Sequence, residues 1–506
     1  MPDYLLPRGM TAATASRALA ERLPVRAGSA RVHARAYYDT FDGLLHTAGL
    51  EAVWEDGQLA LVESDGDQIR ARAALPKPTR PLFTSDLEGG PLCDALKRLI
   101  DVRALLPIIE IKCRERPFDV LDREQKTVVR LRLQQPALGR MRLRPRVHVS
   151  AVRGYDKALA RVSGELGREG FEPAPRPLLE EALLASGGTP GGSPAKIRVR
   201  LDRSERADRA TAAVLKALLA VIEANLPGTI ADLDSEFLHD LRVAVRRTRA
   251  VQRELRGVFP PAELERFRAD FRRLQQETGD ARDLDVYVLE FDGMRALVPE
   301  PERPDLEPLL EVLKRRRAAA HRRTARALRA ERTAKLLAGW GELLDGLEGV
   351  SVEGRPDART PIGELAGARI TKVYRRMVRM GEAIGPDSPS IDYHELRKKG
   401  KELRYLLELF GAPLFPEEVV RSMVRVLKGL QDVLGRHQDR EIQVTMLRSL
   451  GPEVSAASDG PAALMAMGML VERLEADQQE ARGAFASRFE EFASRRQRKL
   501  VKDTFR

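Results

Sequence analysis

Cysteine is nearly absent, with only Cys93 and Cys113 in the chain. Two are too few for a disulfide framework or a cysteine zinc site, and they suit a reducing, cytoplasmic compartment. Aromatic residues make up 5%, which weighs against binding single-stranded nucleic acid by base stacking. The opening stretch, MPDYLLPRGMTAATASRALAERL, lacks a basic segment followed by a long apolar one, so no signal peptide is expected. No uninterrupted run of about 18 apolar residues occurs, so no membrane span is expected.

Apolar and charged residues are plentiful. A chain of 506 residues that is 43% hydrophobic has material for roughly two to four domains with real cores. Charged residues reach 32%, and 86 Lys plus Arg against 75 Asp plus Glu leave a formal charge of +11. That balance favours an anionic partner, leaving nucleic acid, an acidic membrane surface and a polyanionic metabolite open.

SGGTPGGSPA at 186–195 reads as a linker, because Gly, Ser and Pro dominate it and no apolar period crosses it. It separates 1–185 from 196–506. In the first part QLALVES, DQIRARAAL, KTVVRLRLQ and GRMRLRPRVHV alternate with the period near two of half-exposed strands, while LLEEALLA and DKALARVSGELGREG read as helices. An α+β domain with mostly antiparallel strands follows. The second part is helical by period, punctuated at GVFPPAE, GPDSPS, GAPLFPEE and LGPEVSAASDGPAA, with Pro261 and Pro416 expected just inside helix starts.

The helical part repeats. FLHDLRVAVRRTRAVQR at 237–253 is matched by HELRKKGKELRYLLELF from 394. His239 aligns with His394, Arg242 with Arg397, Arg246 with Lys401 and Arg249 with Arg404. RLQQETGDARDLDVYV at 273–288 then lies over GLQDVLGRHQDREIQV at 429–444, with Gln275/Gln431, Gly279/Gly435 and Asp283/Asp439 in phase. Two units of about four helices each are expected, at about 200–350 and about 360–506, packed as bundles about a pseudo-two-fold.

Within each unit a cationic stripe is evident. His239, Arg242, Arg246, Arg249 and Arg253 step by three and four residues, which places them on one helix face. His394, Arg397, Lys401 and Arg404 do the same, with Lys398 beside them. Arg369, Lys372, Arg376 and Arg379 form a third ridge, and Arg322, Arg326 and Arg329, with His321 offset, a fourth. A charge run is usually a solvated face. Recurrence at the same helix position in both repeats, each opened by one of only seven histidines, favours a bound anion instead. Arginine forks suit phosphate oxygens. No His or carboxylate stands four residues beyond His239, which disfavours a helical metal site.

These motifs resemble the CHAD family, the histidine-containing α-helical domain, over about 200–506. The resemblance implies a pair of four-helix bundles around a basic cavity, binding of inorganic polyphosphate and association with polyphosphate granules. It carries a phosphate-contact role onto His239, Arg242, Arg246, Arg249, His394, Arg397, Lys401 and Arg404. The neighbouring Arg253, Lys398, Lys372, Arg376 and Arg379 extend the expected polyphosphate-binding set, and His437 in GRHQD is a further candidate.

YYDTFDGLLHTAGLE at 37–51 is similar to the CYTH-type triphosphate tunnel domains, which implies a barrel-like antiparallel sheet. The rest departs from that family. MPDYLLPRGMTAA holds no Glu-x-Glu-x-Lys strand, EAVWEDG stands where Arg-x-Arg is usual, LALVESDG lacks the lysine, and GRMRLRPRVHV replaces a Glu-rich strand. Only EIK at 110–112 supplies a Glu-x-Lys. Hydrolysis assisted by a metal needs carboxylates to hold a divalent cation. The domain is therefore expected to be degenerate and non-catalytic, with no metal, cofactor or catalytic residue. In GRMRLRPRVHV the arginines 140, 142, 144 and 146 would share one strand face, as would Arg130 and Arg132. A metal-dependent triphosphatase and a nucleic-acid-binding helical protein are the alternatives.

Overall fold

The computed structural model describes residues 3–64, 68–193, 195–385 and 387–505. It divides into two compact units, Met1–Ala195 and Lys196–Arg506.

The first unit is a curled antiparallel half-barrel with helices, compatible with a tunnel-like domain. Its strands are β1 (Asp3–Leu5), β2 (Val25–Ala27), β3 (Arg31–Asp39), β4 (Leu50–Glu55), β5 (Gln58–Glu63), β6 (Ile69–Ala74), β7 (Leu106–Leu121), β8 (Thr127–Leu138), β9 (Met141–Arg142), β10 (Arg146–Ala151) and β11 (Glu172–Pro173). Nine of them run in the order β11-β1-β10-β8-β7-β3-β4-β5-β6, while β2 pairs with β7 and β9 with β8 off this path. Helices α1 (Ala12–Arg22), α2 (Leu44–Thr47), α3 (Pro91–Ile100), α4 (Asp156–Arg168) and α5 (Leu178–Ala185) accompany them. Strand alternation sorts the faces. Val129, Leu131 and Leu133 of β8 pack with Leu19, Val162 and Leu166 of α1 and α4, while Arg132 and Gln134 line the opposite, concave face. The YYDT turn is fixed by Asp39, whose carboxylate accepts from the backbone N–H groups of Thr40, Leu45 and His46 at 2.7, 2.9 and 3.0 Å. Gly43 takes φ 68° where α2 begins, a conformation glycine adopts freely.

One expectation fails here. GRMRLRPRVHV is not one strand but two, β9 and β10, broken at 143–145, because Pro145 has no amide to donate to a ladder. Its arginines therefore do not share a face. Arg142 is exposed, Arg144 donates to the Leu6 carbonyl at 3.1 Å, and Arg146 is fully buried against Asp3.

The second unit is helical. Its elements are α6 (Ala207–Ala231), α7 (Ser235–Glu254), α8 (Pro261–Glu277), α9 (Gly279–Leu289), α10 (Phe291–Arg295), α11 (Glu307–Arg329), α12 (Glu331–Gly346), α13 (Ile362–Glu382), α14 (Ser390–Leu406), α15 (Ala412–Leu414), α16 (Glu417–Ser455), α17 (Gly460–Phe492) and α18 (Arg495–Thr504). The repeats are unequal. The second is built on four long helices, α13, α14, α16 and α17, whereas the first is cut into more pieces. A break at Thr278 separates α8 from α9 where the second repeat runs straight through Gly435. The expected break in LGPEVSAASDGPAA falls at its middle, since α16 continues through Pro452 to Ser455 and α17 starts at Gly460.

Apolar periodicity explains the packing. Leu241, Val245, Thr248 and Gln252 of α7 are all buried, so the opposite flank is left for charge. Asp234 caps α7, its Oδ1 accepting from the Glu236 and Phe237 amides at 2.9 and 3.3 Å. α6 meets this start so closely that a Cβ on Gly228 would lie 2.1 Å from the Phe237 ring. α6 is also long and apolar enough to cross a membrane by composition, and half of its apolar window is buried inside the bundle. Trp340 of α12 packs between Phe267 and Phe271 of α8, with ring centroids 4.9 and 5.5 Å apart.

Candidate anion-binding seam

Ion pairs bind the cationic helices of the two repeats side by side. Arg247 of α7 reaches Glu408 at 2.7 Å, and Arg253 reaches Glu402 of α14 at 2.8 Å. This juxtaposition brings Arg242 and Arg246 of the first repeat into the field of Arg397 and Lys401 of the second. Burial, with repulsion from Arg397, Arg246 and Arg242, pushes the Lys401 ammonium down to about 8. Among the described residues it has no carboxylate within ion-pair distance. Arg246 Nε is buried without a hydrogen-bond partner. Burial, with repulsion from Arg246 and Arg282, lowers Arg242 to about 10, against the pull of Asp283 and Asp280.

The sequence repeat reappears as geometry. A Cβ on Gly279 would touch Arg242 Nη1 at 3.8 Å, and one on Gly435 would touch Arg397 Nε at 3.9 Å. Each arginine thus crosses the aligned glycine of its own repeat. Arg397 then pairs with Asp439 at 2.9 Å, whereas Arg242 donates to the Gln275 carbonyl at 2.7 Å and to Thr278 Oγ1 at 2.9 Å.

The remaining expected residues divide. Arg249 is bonded to Gln275, and burial together with Arg272, Arg253 and Arg268 lowers its proton affinity. Arg404 pairs with Glu408 at 2.7 Å and Lys398 with Glu395 at 2.7 Å, so these stripes are better supplied with acids than their sequences suggest. Half-buried His239 lies on α7, and His394 Nδ1 meets Gln438 Oε1 at 2.7 Å. Lys372, Arg376 and Arg379 are exposed on α13, while Arg369 pairs with Asp357 at 2.8 Å.

Two histidines are buried. His437 is not open to a ligand in this arrangement: it is 2% exposed, its ring stacks on Tyr393 at 4.9 Å, and burial lowers its proton affinity. His321, offset from its ridge, is buried between Asp285 and Asp232, at 2.8 and 3.1 Å.

A further group escaped sequence reasoning. Arg268 and Arg272 of α8 join Arg249 and Arg253 around a cavity of about 120 Å³, with Glu265 the one acid in its lining. The four-residue spacing of Arg268 and Arg272 was a signal, but only the packing of α8 on α7 joins it to the stripe.

Two like repeats that turn their cationic helices toward one seam define a helical domain whose class of partner is a polyanion. Residues 213–448, which lie within the helical unit, match the CHAD domain family. This family is linked to polyphosphate, and the match supports a polyphosphate-related role in general terms. Among solved structures, the CHAD domain from the plant Ricinus communis shares 24% identity, over 58% of this chain and 95% of that one, with a TM-score of 0.47. PptA from Streptomyces chartreusis shares 17%, over 56% and 100%, with a TM-score of 0.44. No curated protein matches the chain.

A tunnel-like sheet raises the question of a metal, and the donor set of the first unit does not fit one. Asp3, the only carboxylate on β1, already accepts from His148 at 2.7 Å and from Arg146 at 3.1 Å. Among the described residues no group of three or more His, Cys, Asp or Glu side chains could hold a metal ion.

Proposed function

We propose that the helical unit binds inorganic polyphosphate along the seam between α7 and α14, and that the protein associates with polyphosphate granules in the cytoplasm without catalysing a reaction. Arg242, Arg246, Arg397 and Lys401 form the centre. Arg249, Arg253, Arg268 and Arg272 extend the track along α7, which rises about 16 Å between Arg242 and Arg253 at roughly 1.5 Å per residue. His239, His394, Lys398, Arg404 and the α13 ridge flank it.

The observation that carries this reading is the seam itself: half-buried cations from two repeats, repelling one another, with Arg246 Nε lacking a partner. A chain of phosphates supplies acceptors and charge together, and buried donors interact with it strongly because water screens them little. Competition tests the choice of polyanion. Long-chain polyphosphate is expected to displace DNA and RNA from the protein at moderate salt. Failure to displace them would make nucleic acid the ligand.

A further inference from the structure

The cationic flank of α7 ends at the small cavity that it shares with α8, about 120 Å³ in volume. Four arginines line it, Arg249 and Arg253 from α7 and Arg268 and Arg272 from α8, against one carboxylate, Glu265. Two are compensated: Arg253 pairs with Glu402 at 2.8 Å and Arg268 with Glu265 at 3.1 Å. Arg249 donates to the neutral amide of Gln275, and among the described residues Arg272 makes no ion pair.

Gln252 is the informative member of this lining. It is fully buried, and neither its Oε1 nor its Nε2 has a hydrogen-bond partner. Leaving both ends of a buried amide unbonded is costly, and a ligand that offers an acceptor and a donor together satisfies both. The fold does not require this arrangement. Gln252, Arg253, Arg268 and Arg272 align with Leu407, Glu408, Val424 and Lys428 of the second repeat, where Leu407 is fully buried.

Size and charge select the ligand. A volume of about 120 Å³ is the liquid share of roughly four water molecules, room for one phosphoryl group and not for a run of them. An internal phosphate of a chain carries a single negative charge and no proton at neutral pH. A terminal one resembles a phosphomonoester, with a second ionisation near pH ~6 and three acceptor oxygens. Its hydroxyl form donates to Gln252 Oε1, while its other oxygens accept from Nε2 and the arginines.

We propose that this cavity seats the terminal phosphoryl group of a polyphosphate chain, so that the protein holds a chain by its end as well as along the seam. The inference rests on the polyphosphate reading of the helical unit. Calorimetric titration of the full chain with linear tripolyphosphate, cyclic trimetaphosphate (which has no terminus), orthophosphate and long-chain polyphosphate tests it. Saturable tripolyphosphate binding is expected, weakened at least about tenfold in Gln252→Leu, the loss of a hydrogen bond to a charged group. Arg272→Gln, a change at an exposed residue, should weaken it too, and Lys335→Gln, on α12, should leave it unchanged. Trimetaphosphate binding should be insensitive to Gln252→Leu. Circular dichroism confirms that each variant is folded. Tripolyphosphate binding unchanged in Gln252→Leu, or trimetaphosphate binding weakened equally by it, would overturn the proposal. So would orthophosphate bound as tightly as tripolyphosphate, which would make free phosphate the ligand. Long-chain polyphosphate that binds while tripolyphosphate does not would overturn the end site and leave the polyphosphate reading standing; failure of both would remove the reading as well.

Discussion

Lys401 on α14 and Arg246 on α7 belong to different repeats, yet each lies in the other's field. Burial and the repulsion of Arg397 and Arg246 bring the Lys401 ammonium down to about 8. Two aligned positions of a duplicated sequence have thus been brought to one seam, and the consequences can be measured.

The first concerns pH and binding. Lys401 loses its charge as pH rises through about 8, and a bound polyanion would hold the proton on. Binding should therefore take up protons between about pH 8 and 10, and affinity should fall several-fold from pH 7 to 9. Lys401→Arg, charged throughout this range, should flatten the profile. Titration in buffers of different ionisation enthalpy reads the proton uptake, and a flat wild-type profile would contradict it.

Stability should move the other way. A lysine whose affinity for its proton is lower folded than unfolded opposes folding while charged. That cost is fully present below about 8 and is relieved as pH rises towards the unfolded value of 10.5. Lys401→Met should raise stability at pH 7 by roughly 1–3 kcal/mol, given about 1.4 kcal/mol for each tenfold change in proton affinity, while weakening polyphosphate binding. Chemical denaturation at pH 7 and pH 9.5 checks both sign and window.

Packing gives a third outcome. Gly228→Ala would drive a methyl into the Phe237 ring, 2.1 Å away, and should cost about 1–3 kcal/mol. The same substitution at Gly279, where a Cβ meets only Arg242 Nη1 at 3.8 Å, should be tolerated. Thermal melts of the two variants check the contrast.

The arginine cluster on α8 provides a fourth. Replacing Arg268 and Arg272 with Gln should weaken polyphosphate binding and shallow its salt dependence, because fewer counterions would be displaced. Affinity measured across a salt series reads the slope, and an unchanged slope would confine the site to the seam.

Much of this was legible in the sequence. The three-and-four spacing from His239 placed a cationic flank on α7, and the in-phase Gly279/Gly435 and Asp283/Asp439 marked the duplication. What was hidden depends on residues far apart in the chain. The Arg253–Glu402 and Arg247–Glu408 pairs join different repeats, so no local pattern shows which cations are already compensated. His437 was a further candidate through its place in GRHQD, but α16 turns it inward onto Tyr393. In the first unit, Arg31, Arg35, Glu51, Glu55 and Glu115 sit on a concave face, and inward-facing charges disguise the alternation that ordinarily marks a strand.

The central claim is that cations from both repeats form one site for polyphosphate. Its most direct test is equilibrium binding of long-chain polyphosphate to the full chain carrying Glu at positions 242, 246, 397 and 401 together, with helical content followed by circular dichroism. Loss of binding with the helical signal intact is the predicted result. Unchanged affinity in a folded variant would contradict the account and return the stripes to solvated surface.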